Sequence, residues 1–79
     1  MTTTEITRSI DARGMACPGP LMTLIGAIRE GQVGDTIEVL SSDEGSKTDI
    51  PAWVQKAQHR LVEVVPEDGY SRFIIQKAR

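Results

Sequence analysis

The chain has 79 residues with a formal net charge of −2, 39% of them hydrophobic and 25% charged. That length and composition fit one ordinary soluble globular domain with a thin core, roughly one sheet with helices on one face. The acidic balance argues against a general nucleic-acid surface, which needs clustered Lys and Arg, and no apolar stretch nears the ~20 residues that span a bilayer.

Residues Met1 to Thr4 read as a loose start to a single domain spanning 1–79. Met1 to Ser9 lack the basic-then-apolar layout of a signal peptide. One cysteine permits no internal disulfide, so the chain reads as cytoplasmic, in a reducing compartment. Ile6, Arg8 and Ile10 alternate with Thr7 and Ser9, a short strand of period two. Asp11 to Ala16 follow as a loop, with Gly14 free to take an unusual backbone angle. From Pro20 onward, Leu21, Leu24, Ile25 and Ile28 recur at helical spacing, which predicts a helix from about Pro18 to Glu30, stopped at Gly31.

Val33-Gly34-Asp35 reads as a turn, and Thr36 to Leu40 as a strand with Ile37 and Val39 on one face. Ser41 to Gly45 make a second strand-to-helix loop. In the next segment Ser46 to Thr48 form an opening turn, Asp49-Ile50-Pro51 restart or kink the helix with Asp49 as its N-cap, and the end falls near Gln58 or His59. Ile50, Trp53, Val54 and Ala57 give this helix one buried face, with Trp53 as a core anchor. Leu61 to Val65 read as the third strand, Pro66 to Gly69 as a turn, and Tyr70 to about Lys77 as the last strand of a hairpin. The order β-α-β-α-β-β predicts an α/β two-layer sandwich: a four-stranded mixed sheet with both helices on one face.

The chemistry centres on Cys17, in the run Arg13-Gly14-Met15-Ala16-Cys17-Pro18-Gly19-Pro20-Leu21. Proline is tolerated in a helix's first turn, where its missing N–H has no intrahelical partner. Cys17 is therefore expected at or just before a helix N-terminus, where free N–H groups and the macrodipole favour the thiolate. The competing reading is a buried cysteine acting as a small hydrophobe; the stiff Gly- and Pro-bounded loop and a position ahead of the apolar stripe count against it. One Cys and one distant His cannot fill a structural zinc site, a hydrolase would need a base beside the thiol, and a redox dithiol would need a second cysteine. His59 reads as an exposed helix-end residue. No metal or cofactor is called for. Chemistry needing one reactive sulfur and no base remains, such as carrying sulfur as a persulfide or forming a reversible mixed disulfide with a partner.

The run Ile10-Asp11-Ala12-Arg13-Gly14-Met15-Ala16-Cys17-Pro18-Gly19-Pro20 resembles the Asp-x-Arg-Gly-Leu-x-Cys-Pro-x-Pro signature of the TusA/SirA-like sulfur carriers. Ser42-Asp43 and Asp49-Ile50-Pro51-Ala52-Trp53 resemble that family's acidic loop and Asp-Ile-Pro segment, so the resemblance runs from about Ile6 to Lys77. It implies a sulfurtransferase acting as a sulfur carrier, with Cys17 bearing the persulfide and Pro18 and Pro20 shaping the helix start. Arg13 and Gly14 match the motif's preceding pair: Arg13 is either a solvated charge or a group steadying an anionic persulfide. Asp43 matches an acidic position near the site, or caps the second helix. Gly19, Leu21 and Met22 are the candidate docking positions for partners.

Members serving transfer-RNA thiolation often carry Glu between the two prolines and basic residues on the following helix, where this chain has Gly19, Ile25 and Gly26. The chain looks more like members linked to sulfur oxidation, which exchange sulfane sulfur or thiosulfonate with DsrE-like and heterodisulfide-reductase-like proteins. A rhodanese or a cysteine desulfurase is the other implied donor, and transfer-RNA thiolation or molybdenum cofactor synthesis the alternative use. A monomer is expected, without membrane or direct nucleic-acid binding. The reading from another class is a regulatory or adaptor module in which Cys17 is only structural.

Overall fold

The computed structural model describes residues 6–16 and 19–79. Cys17, Pro18 and the expected loose start at 1–4 lie outside the described residues. The elements run β1 (Arg8–Asp11), α1 (Gly19–Glu30), β2 (Thr36–Ser41), α2 (Ser46–Lys56), β3 (Arg60–Glu67) and β4 (Tyr70–Gln76). The sheet order is β1-β2-β4-β3, with β1 parallel to β2 and the other two pairs antiparallel. This is the mixed α/β sandwich that the alternation of strand and helix patterns predicts.

Strand side chains alternate between faces, and one face of the central strands presents Ile37 and Val39 of β2 with Phe73 and Ile75 of β4. Both helices cover that face, α1 through Leu24, Ala27 and Ile28 and α2 through Ile50 and Val54. The buried stripe of α1 is rotated from the expected one, with Pro20 buried and Leu21 and Ile25 only half-buried. Trp53 is likewise half-buried, packed against the core's margin rather than inside it.

The first two strands each extend one residue into an expected loop, β1 to Asp11 and β2 to Ser41, and β1 begins only at Arg8. Three further boundaries differ from expectation for local reasons. The second helix runs unbroken through Pro51, with Gly45 at its N-cap, so Asp49 does not cap it. Amides of its first turn are already bonded to Asp43, Glu44 and Gly45 carbonyls, and Pro51 removes a single hydrogen bond one turn further on. That helix stops at Lys56 because Gln58 takes a left-handed φ of 64°. The third strand continues through Pro66 to Glu67, leaving Asp68-Gly69 as a two-residue turn with Gly69 at φ 85°. Pro66 is tolerated there because β3 is an edge strand.

The face without helices carries one polar network. Glu38, with its side chain only 11% exposed, accepts from Ser9 Oγ at 2.7 Å and from Arg72 Nε at 2.7 Å, and Arg72 also approaches Glu67 at 3.6 Å. The hydrogen bond from Ser9, and then the Arg72 charge, hold the Glu38 carboxyl below its ordinary value despite partial burial. Its stabilising contribution is thus present above about pH 4.5 and lost as pH falls through its lower folded-state value. Arg72→Met is expected to cost ~1–2 kcal/mol near neutral pH, discounted for the third of the arginine side chain in solvent. Acid unfolding followed by circular dichroism should then begin at higher pH than in the parent chain.

His59, half-buried past the end of α2, does not project freely into solvent. Its Nδ1 accepts the Ala78 amide at 3.1 Å, and its ring lies 5.6 Å from that of Trp53. Burial first, then the Lys77 and Arg79 charges, push its pKa below 6.5. The folded state therefore favours neutral His59, and the stability this brings is complete above pH 6.5 and declines below it. His59→Gln should flatten that segment of a stability–pH profile measured by urea unfolding.

Candidate functional site

Because β1 and β2 are parallel and adjacent, both feed their loops to the same end of the sheet. The register sets Asp11 opposite Leu40, and the Ala12 amide bonds the Leu40 carbonyl at 2.8 Å. The antiparallel β4 begins at that same end, with Ser71 opposite Ser41. Residues 12–16, 42–45 and the β3–β4 turn thus meet beyond the carboxyl ends of the parallel strands, the usual place for a site in an open α/β sheet.

The loop leading to Cys17 is anchored residue by residue. Ala12 is fully buried in the core. Gly14 adopts φ 86°, a conformation other residues rarely take, and its amide donates to Ser42 Oγ at 3.0 Å. Met15 N–H donates to the Ala12 carbonyl at 3.2 Å, and Gly19 N–H to the Ala16 carbonyl at 2.8 Å, joining the residues on either side of Cys17-Pro18. Helix α1 starts at Gly19, with no acidic side chain in its first turn. In sequence Cys17 comes two residues ahead of this helix N-terminus, whose partial positive charge is not offset by an acidic side chain within that turn.

The candidate residues fall into different roles. Pro20 is buried, and its carbonyl accepts from Thr23 Oγ1 at 2.8 Å. Arg13 is neither freely solvated nor unpaired: its N–H, Nε and Nη2 donate to the Asp11 carboxylate, and its guanidinium lies 4.9 Å from the Tyr70 ring centroid. The hydrogen bonds from Arg13 bring Asp11 down to about 2. Asp43 does not cap α2 with its carboxylate; its backbone carbonyl accepts the Ser46 amide at 3.2 Å. Its Oδ2 is buried with no hydrogen-bond partner among the described residues. The opening of α2 is instead fixed by a buried Ser41–Ser46 hydroxyl pair 2.8 Å apart. Of the candidate docking positions, Met22 is 60% exposed and Leu21 packs against the core.

A Cβ on Gly19 would lie 3.1 Å from the Met15 Cβ, so Met15 occupies the space a side chain there would need. Met15 is itself 42% exposed, a second methionine flanking the thiol in sequence that sequence reading did not single out. Tyr70 was also missed at the site, and Ser42 was read only as part of the acidic loop, since their contacts with Arg13 and Gly14 bridge distant parts of the chain. Asp11 was legible in principle, as a carboxylate two residues before an arginine in a turn. A pocket of about 240 Å³ opens beside this loop, lined by Ser42, Asp43 and Lys47 on one side and Glu67, Tyr70 and Ser71 on the other. Among the described residues no group of three His, Cys, Asp or Glu side chains is arranged as metal ligands would be, and no helix is long and apolar enough to cross a membrane.

Fold and site together define a small α/β sandwich whose single cysteine comes two residues before the first helix in sequence. The family model described as Sulfurtransferase TusA matches residues 8–77, and the chain belongs to that family. It is 53% identical over 70 residues to an Archaeoglobus fulgidus protein named as a sulfur carrier, covering 89% of this chain and 96% of that one. It is 35% identical over 68 residues to the sulfur carrier protein TusA of Buchnera aphidicola, covering 86% of each. The solved structure of a SirA-like protein from Desulfitobacterium hafniense shares the fold, with a TM-score of 0.82 at 24% identity, covering 92% of this chain and 100% of that one.

Proposed function

We propose that the chain is a sulfur carrier that accepts sulfane sulfur as a persulfide on Cys17 and passes it to a partner protein. The observation that carries this reading is the family's cysteine–proline block leading straight into α1 at Gly19. The Cys17 thiolate attacks the outer sulfur of a donor persulfide. A new S–S bond forms at Cys17, the donor's S–S bond breaks, and the donor cysteine leaves as a thiolate. Delivery repeats the exchange with an acceptor thiolate, so no net oxidant, metal or general base is required.

Gly19 in place of Glu supports the branch linked to sulfur oxidation, with persulfide or thiosulfonate as cargo and DsrE-like or heterodisulfide-reductase-like proteins as partners. The close approach of Met15 gives a physical reason for glycine here. Exposed Met22 offers an apolar contact in the first turn of the helix that follows Cys17 in sequence, and the chain acts as a cytoplasmic monomer. Incubation with a persulfide donor followed by intact-mass and peptide analysis is expected to show one reducible sulfur on the Cys17 peptide. Uptake located on any other residue overturns the reading. Transfer-rate comparison of a DsrE-like donor with a cysteine desulfurase tests the branch, with faster loading from the DsrE-like protein expected.

A further inference from the structure

Arg13 is gripped on two different surfaces. The edge of its guanidinium meets the Asp11 carboxylate, through Nε at 2.9 Å and Nη2 at 2.8 Å, while its central carbon sits over the Tyr70 ring. Asp11 closes β1 and Tyr70 opens β4, two strands that do not pair with each other but both border β2. Residues 12–16 are thereby tied to β1 through Asp11, to β4 through Tyr70, and to the β2–α2 loop through Gly14 and Ser42. An exposed ion pair between residues two apart is a weak restraint on its own, because water competes for both charges. The aromatic face adds a second restraint suited to the weakly hydrated guanidinium.

We propose that Tyr70 is a positioning residue for Cys17 that acts through Arg13, its ring and the Asp11 carboxylate holding the guanidinium so that the loop entering the thiol keeps one arrangement. This rests on Cys17 being the sulfur-bearing group. Tyr70 touches no reacting atom; it limits the places that residues 12–16 can go, and through them the approach of the chain to Cys17.

The test is alkylation of Cys17 by iodoacetamide across the thiol's titration, in the parent chain and in Tyr70→Leu, Tyr70→Phe, Arg13→Ala and the Arg13→Ala/Tyr70→Leu double variant. Tyr70→Leu keeps the hydrophobic bulk, and melting temperatures are recorded alongside. Expected is a raised thiol pKa in Tyr70→Leu and a rate at neutral pH lowered about two- to fivefold, the factor an exposed cation–π contact supplies. Arg13→Ala should show a similar shift, the double variant no more than either single one, and Tyr70→Phe the parent profile. An unchanged profile in Tyr70→Leu overturns the proposal, even with a lower melting temperature, and so do effects that multiply in the double variant. Sulfur uptake from a persulfide donor is measured on the same samples. Shifted alkylation profiles without uptake in the parent chain would sink the sulfur-carrier reading and leave the positioning role standing.

Discussion

Cys17→Ser is expected to reduce reducible sulfur uptake from a persulfide donor to background while leaving the urea-unfolding midpoint near that of the parent chain. The chain has no second cysteine to take over, so the loss should be complete rather than partial. A serine hydroxyl in the same place stays protonated at neutral pH, and activating it would require an adjacent base. The one histidine cannot serve without leaving its place, because His59 Nδ1 is occupied by the Ala78 amide and its ring lies against Trp53. His59→Ala is accordingly expected to leave uptake unchanged, which makes it the matched control. The fold should survive Cys17→Ser because the core is assembled from Leu24, Ile37, Val39, Ile50, Val54, Phe73 and Ile75, on the sheet and helices. Uptake by the serine variant, measured by intact mass, would return the chain to the adaptor class in which Cys17 is dispensable.

The second large effect lies in the core. Phe73 is the chain's one phenylalanine, is 1% exposed, and pairs with Val39 on one side and Val64 on the other in the interior strand β4. Its ring fills the layer between the sheet and both helices. Phe73→Ala removes that volume from a site lined by elements that cannot all close inward at once, a change that costs ~3–5 kcal/mol. Domains of this kind have roughly 5–15 kcal/mol to lose, so the variant should forfeit a large share of its stability. Urea denaturation followed by far-ultraviolet circular dichroism would show it as a large drop in midpoint. Phe73→Leu keeps most of the apolar volume and should cost only ~1–1.5 kcal/mol. A Phe73→Ala midpoint close to that of Phe73→Leu would mean that the layer is looser than its burial indicates.

The element order, the four-stranded sheet and the helix start beside Cys17 were legible in the sequence because each rests on local rules. Alternation of period two marks a strand, spacing of three and four marks a helix face, and a Pro-Gly-Pro run marks a first turn. The same local rules failed where a neighbour intervened. Pro51 looks like a helix start in sequence, yet α2 already begins at Ser46, whose hydroxyl is buried against Ser41. Pro66 looks like a turn residue, yet the edge position of β3 lets the strand run through it.

The candidate site divides in the same way. From the sequence alone came a lone cysteine in a stiff loop, with Arg13, Gly14 and the prolines around it and no metal set, base or second thiol to serve another chemistry. Tertiary structure decided what those neighbours do. Parallel pairing of β1 with β2, and antiparallel pairing of β2 with β4, bring Ser42 and Tyr70 to the loop from remote positions in the chain. Arg13 is thereby bound by Asp11 and Tyr70 rather than left as a free charge, and Asp43 gives α2 its carbonyl while its carboxylate stays off the cap. Residue type and spacing specify which chemistry is available, since they act within a turn or two of chain. Which side chains restrain that chemistry depends on strand register, and register is set by the core that the whole chain builds together.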